Sequence, residues 1–257
     1  MDLKLAGKIA IVTGASRGIG RAIAETLSAE GVKIVLAARS VDLLDSLSSR
    51  LPTQSIAYPV DLRYPESAPA LVSAALEHFG RLDLLINNAG ATQRGDFLSL
   101  PDELWADGFA LKFFGAMRLC RAAWPHLQKT NGSITNIIGI GGRTGSAEFA
   151  IGGTVNAALM NLTKVLADRG VKDGVRVNAI NPGSIATDRL TTRIQKFAAQ
   201  KGLDEPAAAR LMAQESGIAR FGDPEEIARA VAFLASPANA YIHGAVLDID
   251  GGQTRTL

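Results

Sequence analysis

The sequence predicts an α/β protein built on one doubly wound parallel sheet, a single domain covering residues 1–257. Three observations carry that prediction: short β-branched runs recur along the chain, segments of helix length separate them, and the first run opens directly into a glycine-rich turn. Strands that alternate with helices are joined by crossovers, and crossovers place helices on both faces of a parallel sheet.

Seven runs are strand candidates. "KIAIVT" from Lys8, "KIVLAA" from Lys33, "SIAYPV" from Ser55 and "LDLLIN" from Leu82 come first, and "SITNII" from Ser133, "VRVNAI" from Val175 and "AVLDID" from Ala245 complete the set. No repeat, low-complexity tract or linker marks a second domain, and 257 residues, 47% of them hydrophobic, can bury one substantial core. Residues 183–222 depart from the alternation, because two helical stretches with polar junctions follow one another there. An insertion near the carboxyl ends of the strands is expected to form a substrate lid.

Composition excludes several classes. The net charge is only +2, and the basic residues are scattered through "RGIGR", "AARS" and "GVRVNA" rather than gathered into the stripe that a nucleic acid requires. The one cysteine, Cys120, falls in the helical pattern "GAMRLCRAAWPHL" and reads as a small buried thiol, which excludes an internal disulfide and a CxxC site. His78 suits the end of a helix, His126 and His243 lie far from it in sequence, and no metal site is expected. The start "MDLKLAGKIAIVTGAS" lacks a hydrophobic core behind a basic flank, and no apolar run reaches the roughly 18 residues that span a bilayer. A cytoplasmic protein with no membrane partner is expected.

The first strand leads into "TGASRGIGRAIAETL". Gly14 permits a tight turn, Gly18 lets a pyrophosphate approach the backbone amides, and Gly20 lets the following helix pack closely on the strand. Glycine-rich turns are common, so it is the position between a strand and an amphipathic helix that points to a dinucleotide. After the second strand, a chain that selects NAD would place Asp or Glu against the ribose 2′-hydroxyl. This chain has Ala38 and then Arg39, with Arg17 in the glycine turn as a second cation, which favours the 2′-phosphate of NADP.

The spacing T-G-x-x-x-G-x-G resembles the short-chain dehydrogenase/reductase family, whose fold is the Rossmann fold. The resemblance continues through "VDL" at 60–62, "NNAG" at 87–90, "NPGSIATD" from Asn181, "RFGDPEEIA" from Arg220 and "GAVLDIDGG" from Gly244. It implies NADP contacts from Gly14, Ser16, Arg17, Gly18, Ile19 and Gly20 in the turn, from Arg39 at the ribose, and from Asp61 at the adenine. It also implies contacts from Asn88 and Gly90, from Asn156, and from Pro182, Gly183, Ile185 and Thr187, the segment that covers the nicotinamide. Family members commonly pair through helices corresponding to 101–127 and 152–170, so a homodimer or homotetramer is expected.

The family's catalytic serine, tyrosine, lysine and asparagine are where this chain departs. Aligned through Trp105, Gly115, "NAALMNLTK" and "NPG", those four positions fall on Gly139, Gly152, Asn156 and Lys112. A register shift does not rescue the tyrosine, because Tyr58, Tyr64 and Tyr241 all lie far from the fifth strand and the helix after it. Loss of a general acid costs about 10²- to 10⁴-fold in rate, and loss of an oriented hydrogen bond to the developing oxyanion costs about as much again. Gly152 and Gly153 can only leave room, which a bulkier substrate or ordered water could take.

Lys112 and Asn156 are the candidate catalytic residues. The Lys112 ammonium is expected to reach toward Asn156, hold the ribose or an anionic substrate group, and serve as an acid once burial lowers its pKa. The plain alternative is a stem packed on the helix with the amine in water. Arg143, Thr144, Ser146 and Glu148 are weaker candidates in the loop before the helix. Three readings follow: an NADP-dependent oxidoreductase of a small molecule carrying an activated C=N, C=C or carbonyl group; a catalytically silent nucleotide-binding homologue; or a non-redox lyase or isomerase. The complete cofactor apparatus favours the first.

Overall fold

The computed structural model describes residues 1–255. Seven strands form one sheet: β1 (Ile9–Thr13), β2 (Lys33–Ala38), β3 (Ser55–Pro59), β4 (Leu84–Asn87), β5 (Ser133–Ile137), β6 (Arg176–Pro182) and β7 (Val246–Ile249). Every strand candidate therefore becomes a strand. The order is β3-β2-β1-β4-β5-β6-β7, and each pairing is parallel. The direction of winding reverses between β1 and β4, and at such a reversal the crevice beyond the carboxyl ends of the strands is left open.

The sheet is covered on both faces because its strands alternate between two cores. Val12, Leu36 and Ile86 face one core, shared with α1 (Gly18–Ala29), α2 (Val41–Ser48) and α9 (Pro224–Ala235). Their neighbours Ile11, Val35 and Leu85 face the other, shared with α3 (Ser67–Phe79), α5 (Gly115–Thr130) and α6 (Ala150–Asp173). A period of two with both faces apolar is what a sheet buried on both sides demands. Where α1 crosses β1, a Cβ on Gly20 would stand 2.2 Å from the Gly14 carbonyl oxygen, so a glycine is obligatory at that contact.

Between α4 (Asp102–Gly108) and α5 the helix continues as a π-helical stretch, Phe109–Phe114, that contains Lys112. A π turn inserts one extra residue, and such turns recur at functional sites. After β6 the chain forms α7 (Asp188–Lys201) and α8 (Glu205–Glu215) before α9. A parallel bridge between Ile185 and Gly222 closes the base of this excursion, with the Ala186 amide donating to the Gly222 carbonyl at 2.8 Å. No helix among the described residues is long and apolar enough to cross a membrane.

Candidate active site

Two adjoining cavities lie beyond the carboxyl ends of β1, β4, β5 and β6. The first, of about 490 Å³, is lined by Gly14, Ser16, Arg17, Gly18, Ile19 and Gly20 together with Arg39 and Asp61. The second, of about 700 Å³, is lined by Lys112, Gly139 and Asn156 and by Pro182, Gly183 and Ile185. Asn88, Gly90 and Thr187 border both, so the two form one cleft.

The first cavity suits a dinucleotide. Helix α1 begins at Gly18 with no side chain capping it and no acidic residue in its first turn, which leaves its leading amides and the positive end of its dipole to an anion. The turn beneath is held by Asn88, whose side-chain amide donates to the Thr13 carbonyl at 2.9 Å, while the Asn88 and Ala89 amides both donate to the Thr13 hydroxyl. At the far end Arg17 and Arg39 are exposed and neither enters an ion pair among the described residues. Asp61 borders the same end, its carboxylate held by Arg63 at 3.1 Å.

In the second cavity the Lys112 stem crosses the Gly90 backbone so closely that a Cβ there would stand 2.8 Å from Lys112 Cδ. The Lys112 amine donates to the Ile138 carbonyl at 2.5 Å and to Asn156 Oδ1 at 2.6 Å. Both bonds turn the amine inward, toward the end of β5 and toward α6. Burial, reinforced by the nearby Arg189 charge, lowers its pKa to about 7. Asn156 is itself buried on α6, and its Nδ2 lies near Gly139 and Gly141. Gly139 follows β5 with a φ of +130°, a conformation that favours glycine, and its amide lies 3.4 Å from Asn181 Oδ1.

Gly152 requires a correction to the expectation of vacated space. It does not border the cleft, because the Phe149 ring lies against it: a Cβ on Gly152 would meet Phe149 Cζ at 2.0 Å. The adjoining edge of the ring meets Gly141, where a Cβ would be 2.8 Å from Phe149 Cε1. The chain thus fills with its own aromatic side chain the room those glycines create. Sequence reasoning passed over Phe149, although an aromatic residue three positions before a glycine at a helix start was a local signal for such packing.

Other loop candidates separate. Thr144 and Ser146 border the second cavity; Arg143 turns away and pairs with Asp248 at 2.9 Å; Glu148 lies near Arg94 but outside the lining. Arg94, Arg189 and Arg193, none of them singled out from sequence, also border it. No tyrosine borders either cavity among the described residues. Cys120 is buried, with its thiol pushed up to about 12 by burial, and is not a nucleophile. Among the described residues no group of three or more His, Cys, Asp or Glu is placed to hold a metal ion.

A doubly wound sheet with an uncapped helix N-terminus at its switch point defines a dinucleotide-binding α/β protein. A family model described as enoyl-(acyl carrier protein) reductase matches residues 14–254. The chain is 37% identical to a 3-oxoacyl-(acyl-carrier-protein) reductase of Vibrio cholerae, covering 98% of this chain and 99% of that one. It is 36% identical to the Escherichia coli protein of the same description, over 96% and 97% of the two chains. Among solved structures, L-sorbose reductase from Gluconobacter frateurii, complexed with NADPH and L-sorbose, superposes with a TM-score of 0.95 at 35% identity over 100% of both chains. YwfH, an NADPH-dependent reductase involved in bacilysin biosynthesis, gives 0.91 at 28% identity over 97% of this chain and 99% of that one. The chain belongs to the short-chain dehydrogenase/reductase family.

Proposed function

We propose that this protein is an NADP-dependent oxidoreductase in which Lys112, positioned by Asn156, delivers the proton that the family's tyrosine would supply. The observation that carries this reading is the Lys112 amine, bonded to the Ile138 carbonyl and to Asn156 Oδ1 at the wall of the second cavity. The reductases of Vibrio cholerae and Escherichia coli, together with the NADPH complex of L-sorbose reductase, support the reaction class and the cofactor.

The glycine turn, the N-terminus of α1 and the arginines Arg17 and Arg39 would hold the dinucleotide, with Asp61 at the adenine. Asn88, Gly90, Asn156, Pro182, Gly183, Ile185 and Thr187 would frame the nicotinamide half. When bound, NADPH supplies a hydride. The protein's own part is the proton. An ammonium has three N–H groups; two are taken by Ile138 O and Asn156 Oδ1, which leaves the third for an acceptor in the cleft. After donating, the neutral amine keeps both hydrogen bonds and turns its lone pair to the cleft, so neither protonation state requires rearrangement. A pKa near the working pH suits a group that must both give and recover a proton.

The segment 183–222, closed at its base by the Ile185–Gly222 bridge, would form the substrate lid. A homo-oligomer paired through 101–127 and 152–170, where Phe114 and Val165 are exposed apolar residues, is the expected assembly, and light scattering would measure it.

Single-turnover mixing with NADPH and a panel of ketones, enones and imines tests the reading. Oxidation of NADPH by at least one class is expected, with a loss of about 10²- to 10⁴-fold in Lys112→Met and a far smaller change in NADPH affinity. Undiminished turnover in Lys112→Met overturns the role of Lys112. Tight NADPH binding with no oxidation supports a silent homologue, and conversion without cofactor supports a lyase or isomerase.

A further inference from the structure

The second cavity is charged in one sense only. Arg94, Lys112, Arg189 and Arg193 border it, and no Asp or Glu does. Glu148 stands beside Arg94 outside the lining, and Asp188 borders the cofactor cavity instead. Two of the three Lys112 N–H groups are taken by Ile138 and Asn156, and Arg189 donates to the Gly90 carbonyl at 2.6 Å. Arg94 and Arg193 have no ion-pair partner among the described residues.

Arg94 is held in place by an aromatic platform. Its guanidinium lies 4.3 Å from the centroid of the Phe149 ring. That distance is within cation–π range, and the contact orients the guanidinium. The ring in turn lies in a slot between Gly141 and Gly152, which a Cβ on either residue would close. The Gly95 amide donates to the Glu148 carbonyl at 3.1 Å, tying the loop that carries Arg94 to the loop that carries Phe149. Arg193, on lid helix α7, is close enough that its charge and the partial burial of Arg94 both disfavour a cation at Arg94, with burial the larger cause. Glu148 offsets part of this from outside the lining, and two like charges facing one concave site are stabilised further when an anion joins them.

We propose that Arg94, seated on Phe149 in the Gly141–Gly152 slot, and Arg193 of the lid together bind an oxyanion on the substrate, so that the protein acts on small carbonyl compounds bearing a carboxylate or phosphate group. This deepens the reductase reading and rests on it for the chemistry, though not for the binding. Gly152 then has a positive role: the position where the family carries its tyrosine holds the platform for an anion clamp. Because Arg193 rides on α7, an anion bridging it to Arg94 also draws the lid toward the loop after β4.

Calorimetric titration of the NADP⁺-saturated protein with two matched pairs tests the proposal: 4-oxopentanoate against its methyl ester, and hydroxyacetone phosphate against hydroxyacetone. Saturation with NADP⁺ keeps the probes from Arg17 and Arg39. The anionic member of at least one pair is expected to bind about tenfold or more tightly, as loss of a charge-assisted contact implies, and the responding pair distinguishes carboxylate from phosphate. Arg94→Gln and Arg193→Gln are each expected to remove most of that preference. Gly152→Ala is expected to weaken it while leaving the helical circular dichroism intact, because alanine suits a helix and only the far edge of the ring must swing away.

Equal binding within both pairs, no binding of either anion, or a preference that survives in the arginine variants overturns the clamp; a preference that survives in Gly152→Ala overturns the platform. NADPH oxidation, read separately, keeps the two readings apart. Anion preference without oxidation by any carbonyl compound counts against the reductase and leaves the clamp standing, whereas equal oxidation of neutral and anionic members does the reverse.

Discussion

The Lys112 amine donates to Asn156 Oδ1 at 2.6 Å, joining the π-helical stretch before α5 to the first turns of α6 across the floor of the cleft. The bond also orients the amide. Its oxygen must face the ammonium, so Nδ2 is left to face Gly139 and Gly141. The two residues therefore form one hydrogen-bonded unit.

In its proposed role Lys112 must be an ammonium for reduction to proceed, and burial sets its pKa at about 7. Single-turnover NADPH oxidation should accordingly be fastest below about pH 7 and fall about tenfold per unit above it. Oxidation of the corresponding product with NADP⁺ should show the opposite trend. A reduction profile that stays level between about pH 6 and pH 9 would contradict the assignment.

Stability should carry the same signature. The Lys112 pKa is about 7 in the folded protein and about 10.4 in an unfolded chain. Between those values the unfolded state binds more protons, so the contribution of Lys112 to stability rises with pH across that window. Below about 7 both states are protonated and the full cost of burying the charge is present. Lys112→Met removes this dependence. The difference in urea-unfolding free energy between variant and wild type should thus favour the variant most below about pH 7 and shrink toward about pH 10. Loss of two donors displaces the whole curve, so the slope is the test, and a difference independent of pH sinks it.

At the ribose end, Arg39→Asp should weaken NADPH binding by about 10- to 100-fold, as expected when a charge-assisted contact becomes a repulsion. NADH binding should hold steady or improve, because the new carboxylate can accept from a 2′-hydroxyl. Both arginines at this end are exposed, so NADPH affinity should also fall with added salt more steeply than NADH affinity. Fluorescence titration of the two cofactors measures all of this; unchanged selectivity would remove Arg39 from the site.

Asp83, fully buried immediately before β4, accepts from the Ile9 amide at 3.0 Å and from Arg81 Nη2 at 2.6 Å, with Lys8 at 3.5 Å. It clamps β1 to β4, the pair on which the cleft is built. Asp83→Ala should cost about 3 kcal/mol in urea unfolding, in keeping with a broken buried ion pair whose cations are partly solvated. A loss under about 1 kcal/mol would show that the sheet does not depend on it.

The sheet was legible because strand chemistry is local. Runs such as "KIAIVT" and "KIVLAA" carry their β-branched residues in order, and their pairing, Ile11 with Val35 and Val12 with Leu36, follows once both faces are apolar. The glycine turn was legible for the same reason, since Gly14, Gly18 and Gly20 lie on one short segment between a strand and a helix. Even the Lys112–Asn156 contact could be anticipated, because family resemblance supplied the spatial neighbourhood that sequence distance conceals. Gly152 was misread as empty space: a glycine reports only what its own side chain lacks, and not which neighbour moves in.

Sequence by itself determined the architecture, the glycine turn at the start of α1 and the arginines Arg17 and Arg39 near it, all of which follow from residues close together in the chain. Tertiary structure alone decided that Phe149 fills the Gly141–Gly152 slot, that Arg94 stacks upon it, and that Arg193 arrives from the lid to face the same cavity. Residues 94, 149 and 193 sit on three separate loops and helices, and nothing local links them. Their grouping arises because parallel strands direct every β-to-α connection to one edge of the sheet, where charges distant in sequence share a cleft and electrostatic repulsion operates through space.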